Sequence, residues 1–206
     1  MYHEGVLALV LALAMATVPV ERVVAVVNGV PVLETDVRLA EIAQLVPRLP
    51  EEDAAAYRRT VTTALVDLEL RWQDLKSAAI AQRTAVDMDR VWAAAQSRAG
   101  GALDGALAAA GLDPGMLRHL LLKAAIVQAY VANRFEPFIR PTDAEVESLW
   151  RTKLVPELEA AGKSVPSLAD VRPQVEALVR ENKLQTEIDR WTQELAQRAE
   201  IVRYDS

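Results

Sequence analysis

The stretch Arg22-Val-Val-Ala-Val-Val-Asn-Gly-Val-Pro-Val-Leu-Glu-Thr-Asp-Val37 sets two short β-branched runs on either side of Asn28-Gly29. Asn-Gly suits the two central positions of a type I′ turn, where the backbone needs positive φ. The stretch therefore predicts a β-hairpin over 22–33, with a helix opening at Thr35-Asp36. Almost everything after it has helical periodicity, and the other good strand candidate is Glu200-Ile-Val-Arg-Tyr204. A lone hairpin is marginal in water. The expectation is a mainly α chain whose C-terminal strand, 200–204, returns to the N-terminal hairpin and closes both ends onto one small sheet.

Helix boundaries are well marked. Thr35 can cap a helix from Asp36 to about Val46, stopped by Pro47 and Pro50. Glu51-Glu52-Asp53 then places negative charge on the first turn of a long helix, complementing its dipole. Apolar residues recur along it at three- and four-residue steps from Ala54 through Tyr57, Val61, Leu68 and Trp72 to Ala79. Thr84-Ala-Val-Asp87 reads as a capping box for a helix to about Ala99. Gly100-Gly101 breaks it, and a short Ala-rich helix ends at Gly111. Asp113-Pro114 caps a helix to Phe138, and Thr142-Asp-Ala-Glu145 caps the next. After a linker at Gly162 and Pro166, Ser167 opens a last helix over 168–199, with Pro173 tolerated in its first turn. Its expected buried face carries Val171, Val175, Leu178, Leu184, Ile188, Trp191 and Leu195.

The 206 residues, 51% hydrophobic and 25% charged, can bury a core. With aromatics at only 5%, Ala and Leu must do most of the packing. A net charge of −6 without a Lys/Arg cluster argues against a nucleic-acid surface. The absence of Cys excludes a disulfide framework, a Cys-ligated metal and a Cys nucleophile. Val6 to Met15 is an unbroken apolar run of about ten residues, short of the roughly 20 that span a bilayer. Ala14-Met15-Ala16 follows as a small-x-small site, so residues 1–16 read as a leader cleaved between Ala16 and Thr17. Tyr2-His3-Glu4 supplies no cation ahead of the run, which leaves an uncleaved anchor as the alternative. Contact with a membrane is expected only through that segment if it is retained.

Nothing in the sequence assembles an enzyme site. The histidines are His3, in the leader, and His119, between Arg118 and Leu120 on a helix; neither has partners at a workable spacing for acid–base or metal chemistry. His119 reads as a helix-surface residue. Gly100-Gly101 has neither the Lys nor the spacing of a phosphate loop. Asp and Glu fall on helix starts and polar faces, as solvated caps do. No cofactor is expected.

The hairpin, its Asn-Gly turn and the Thr-x-Asp helix start resemble the opening of mature SurA-type periplasmic chaperones. The resemblance continues through Ala64-Leu-Val-Asp-Leu-Glu-Leu-Arg-Trp-Gln-Asp-Leu75, Gly111-Leu-Asp-Pro-Gly-Met-Leu-Arg118, Pro141-Thr-Asp-Ala-Glu-Val146 and Trp191-Thr-Gln-Glu-Leu-Ala-Gln-Arg-Ala-Glu-Ile201. It covers nearly the whole chain after residue 20, in order. It implies a single chaperone domain over 17–206, a helical module related to that of trigger factor. The Gly-Phe-Arg-x-Gly pattern by which trigger factor docks on ribosomes is not in the sequence. That family inserts parvulin-type prolyl isomerase domains about where Arg151 to Pro166 stand here. Too few residues lie there for such a domain, so the resemblance implies a chaperone without its isomerase.

On this reading the protein is an exported, periplasmic holdase for unfolded or partly folded secreted and outer-membrane proteins, working without ATP. Trp92, Tyr130, Phe135, Phe138 and Trp150 are the candidate peptide-binding residues, although aromatics at helical spacing among Ala and Leu also suit a core. Burying one client aromatic is worth roughly 2–3 kcal/mol, and micromolar binding takes about 8 kcal/mol net. The groove must therefore be long enough for several contacts. An adaptor that binds one specific folded partner, anchored by its N-terminus, is the rival reading; a prolyl isomerase, supported by the family label alone, is a weaker third.

Overall fold

The computed structural model describes residues 21–204. The expected leader, with its cleavage site at Ala16 and Thr17, lies outside them. The chain is mainly helical with one small antiparallel sheet, as its pattern predicts. Strands β1 (Val23–Val27) and β2 (Val30–Leu33) pair antiparallel across a turn in which Asn28 and Gly29 have φ of 49° and 80°. Strand β3 (Ile201–Arg203) pairs antiparallel with β1, so β1 is central and the two ends of the described residues meet in one sheet.

Asn28 ties this closure together. Its N–H donates to the Glu200 carbonyl at 2.8 Å, and its Oδ1 accepts from the Glu200 N–H at 2.9 Å. Its Nδ2 donates to Gln73 at 2.8 Å, and Gln73 in turn donates to the Val27 carbonyl at 3.0 Å. The residue that the turn selects for its backbone is thus also the clamp between sheet and helix.

Helix α1 (Glu34–Ile42) follows β2 directly, and its cap differs from the one expected. Asp36, not Thr35, makes it: Asp36 Oδ2 accepts the Leu33 N–H at 2.9 Å, while the Thr35 hydroxyl donates to Glu21. The helix also ends earlier than Val46. Gln44 takes a left-handed φ of 48°, and the Leu45 N–H returns to the Ala40 carbonyl at 3.0 Å, a Schellman-type closure. Helix α2 (Ala54–Ser77) has 24 residues and runs about 36 Å. Asp53 caps it by accepting the Ala56 N–H at 2.7 Å, which places Glu51 and Glu52 before the helix rather than in its first turn.

Helix α3 (Met88–Arg98) begins later than a Thr84 cap would give. Asp87 accepts the Arg90 N–H at 3.0 Å, and the Thr84 hydroxyl is spent on the Ile80 carbonyl of the preceding turn. Helix α4 (Leu103–Ala110) ends at Gly111 with φ of 66°, and α5 (Pro114–Arg134) is capped by Asp113, both as the sequence predicts. Helix α5 stops at Arg134 rather than Phe138. Pro137 has no N–H to continue the ladder, and Glu136–Phe138 tighten into a 3₁₀ turn instead.

The capping box of Thr142 and Glu145 opens α6 (Asp143–Leu149). A π-helical turn at Trp150–Leu154 joins it to α7 (Val155–Ala160), so 143–160 form one rod. The Val155 N–H reaches back to the Trp150 carbonyl, and Pro156 then withholds the N–H that an α-helical register would give to Thr152. Helix α8 (Leu168–Ala196), capped by Ser167, is 29 residues long and ends three residues before 199.

Packing divides the described residues into a body and an arm. In the body, α1 to α5, the sheet and the end of α8 surround a core that includes Leu39, Val61, Leu65, Leu103, Leu107, Leu117, Leu121 and Leu195. A cluster around Leu75, Ile126 and Val127, partly covered by Trp72 and Trp191, adjoins it. The arm is the rod of α6 and α7 against the first half of α8, with a separate core of Val146, Val175 and Val179. Between the two, residues 180–190 of α8 carry no buried position. That explains the departure from the expected α8 face. Val179 is buried and Leu178 is 40% exposed, because the helix changes partner from α6 to α2 along its length and needs no continuous stripe.

Candidate functional site

A cleft of about 470 Å³ opens where the arm leaves the body. Arg134, Phe135, Phe138 and Ile139 form one wall, and Lys183, Thr186 and Glu187 of α8 form the other. Its position follows from Pro137. The 3₁₀ turn releases the chain from α5, turns it across α8, and leaves the Phe138 side chain in solvent. At 73% exposure, Phe138 is the most exposed large hydrophobic residue among those described.

Phe135, which lines the cleft with Phe138, belongs to an aromatic cluster. The Tyr130 and Phe135 rings meet edge to face at 6.1 Å, and Trp191 of α8 closes the group at 5.2 Å from Tyr130 and 5.9 Å from Phe135. The Trp191 indole N–H donates to Asp74 of α2 at 3.2 Å, fixing the ring to the body. The other wall is fixed to the arm. Lys183 Nζ donates to the Arg140 carbonyl at 2.9 Å and to Glu145 at 2.7 Å. Glu145 also accepts the Thr142 N–H at 2.7 Å. Hydrogen bonding by Lys183 first, then by Thr142, holds its carboxyl down at about 2. The Ile139 carbonyl accepts from Arg140 at 3.1 Å and from Arg180 at 3.5 Å. Arg180 and Lys183 thus tie α8 to residues 139–145 beside the cleft, and Trp191 ties the same helix to the body.

Of the five candidate aromatics the structure brings two, Phe135 and Phe138, to this cleft; Tyr130 is joined to it only through its edge contact with Phe135. Trp92 lies apart, half-buried on α3 with the Arg118 guanidinium 4.4 Å from its ring centroid. Trp150 packs on the arm's core at the start of the π turn. Trp191, Lys183, Thr186 and Glu187 were not among the sequence candidates. The last three sit at i, i+3 and i+4 on α8, a spacing that marks one face but not what the face meets.

A second groove, of about 360 Å³, runs between the end of α1, α2, α3 and α5. Leu45, Leu68, Val91 and Leu121 border it, and Ala64, Ala94, Ala124 and Ala125 keep it shallow. It shares α5 with the cleft.

Buried charge in the body is spent on structure. Glu69, nearly buried, pairs with Lys123 at 2.9 Å and accepts from Gln73 at 2.9 Å, extending the Asn28 clamp to α5. Burial pushes the Asp36 carboxyl up despite its bond from Leu33. His119 is exposed beside these groups, on a cavity of about 60 Å³. Among the described residues no group of three His, Cys, Asp or Glu could hold a metal ion, and no helix is long and apolar enough to cross a membrane. No family model matches the chain, and no curated protein matches it.

Proposed function

We propose that this chain is an ATP-independent holdase of the SurA-like kind, exported to the periplasm and lacking an isomerase domain, which binds unfolded secreted or outer-membrane polypeptides in the cleft between body and arm. The observation that carries this reading is Phe138, an aromatic ring left in solvent on a cleft it shares with Phe135, whose own ring packs against Tyr130 and Trp191. An exposed ring is a poor choice for stability alone, since burial is worth roughly 2–3 kcal/mol. On an open cleft beside Phe135, it can recover that energy on a client.

The cleft supplies part of the net 8 kcal/mol or so that micromolar binding needs. The alanine-edged groove along α5 would add shallow apolar contacts that accept many side chains, as a weak and broad binder requires. Backbone groups of an extended client would meet Arg134, Lys183, Thr186 and Glu187 at the rim.

The test is a photo-crosslinking amino acid at position 138, activated in the cell envelope, with the trapped proteins identified by mass spectrometry. Many different unfolded envelope proteins are expected, and fewer from a position on the outer face of the arm such as Glu159. One stoichiometric folded partner would replace the holdase with the adaptor reading.

A further inference from the structure

A third pocket, of about 420 Å³, lies on the body between α2 and the C-terminal strand. Its charged lining is all cationic: Arg58 and Arg59 from α2 and Arg203 from β3. Thr62 and Thr63 add two hydroxyls one turn along α2, and Val24, Ala55 and Tyr204 complete the wall. In a chain of net charge −6, three guanidinium groups around one concavity run against the overall field. The volume is that of a small-ligand site.

The three arginines are not equivalent. Arg58 is committed, donating to Glu34 and lying 3.9 Å from Glu41. Among the described residues, Arg59 and Arg203 have no carboxylate oxygen within 4.0 Å. Asp67, whose carboxylate feels Arg203, pairs instead with Arg71 at 3.8 Å. The wall that carries Arg203 is fixed, because the Tyr204 N–H donates to the Val24 carbonyl at 3.0 Å and continues the β1–β3 ladder past the arginine. Two guanidiniums on different elements, without a carboxylate partner among the described residues, suit an oxyanion through paired N–H···O bonds.

The geometry points to a binding site, formed by Arg59 and Arg203 with Thr63 and backed by Arg58, for a small ligand carrying more than one carboxylate or phosphate group. This site is independent of the polypeptide-binding cleft. A ligand there bridges α2 to β3, so binding stabilises the strand that closes the fold.

Isothermal titration with citrate and with pyrophosphate, each against sodium chloride at matched ionic strength, tests it on the full chain. Saturable binding by either anion, with a raised Tm and slower amide exchange at Val202 and Tyr204, is expected. Which anion binds more tightly assigns carboxylate or phosphate as the preferred group. The R59Q/R203Q pair should bind about tenfold more weakly, as loss of charge-assisted hydrogen bonds implies, and R59K/R203K should keep part of the affinity. The R151Q control, on the arm, should bind as the wild type does. If the double variant fails to fold, R59Q alone, on an exposed helix face, reads the same loss. An effect matched by chloride, or undiminished binding by the arginine variants, overturns the site.

Discussion

Asn28 shows how much one position can carry. Its left-handed φ makes the turn, its side chain and N–H hold Glu200, and its amide reaches Gln73. Asn28→Ala loses the side-chain bonds and places an unsuited residue at positive φ, and should cost about 2–3 kcal/mol in urea unfolding. Asn28→Gly keeps the backbone freedom and should cost less. Equal stability of the alanine variant and the wild type would mean the clamp contributes nothing. Glu145 makes a pH prediction of definite sign. Its folded value of about 2 lies below the ordinary 4.5, so its contribution is present above 4.5 and is lost as pH falls from there towards 2. In Glu145→Gln the Trp150 indole signal of the arm should lose that acid dependence; an unaltered titration would contradict the assignment. At this scale the legible features were local ones. Asn-Gly, Asp113-Pro114 and the Thr142/Glu145 box satisfy their own neighbouring backbone. The Asp36 cap and the left-handed Gln44 were hidden, because neighbouring turns and strands choose them.

Among elements, the two short strands and α8 teach most. The pairing of Ile201–Arg203 with β1 was legible because an alternating run at the far end had no other partner. Truncation after Arg198 removes this strand and the Glu200 bonds to Asn28, and should lower the melting temperature of the whole body cooperatively. An unchanged circular dichroism melt would place the strand outside the stabilising core. The π turn was not legible, since its cause is one missing N–H at Pro156 in a segment of ordinary helical composition. Nor was the true face of α8. Its burial follows Val175 and Val179 on α6, then Trp191 and Leu195 on the body, and a single stripe cannot describe both. Trp191 couples α8 to Tyr130, Phe135 and Asp74. Trp191→Ala should cost about 3 kcal/mol and loosen the arm against the body.

For the whole molecule, periodicity predicted long helices and a closed sheet, and both are present. It could not place the cleft, because the cleft depends on how α8 spans body and arm. Phe135 and Phe138 meet there because both follow directly on the end of α5, whereas Trp92 and Trp150 are separated by the same architecture. The two lobes have their own cores and are joined by a stretch of α8 that carries no buried position. The proposed holding activity depends on that seam. Its most direct measurement is light scattering from a denatured β-barrel protein diluted into buffer without ATP, with and without the purified chain. Wild type should suppress aggregation in proportion to its concentration, and Phe138→Asp, fully folded by circular dichroism, should suppress it much less. Aggregation unaffected by the wild type, or suppressed equally by the Phe138→Asp variant, would contradict the account.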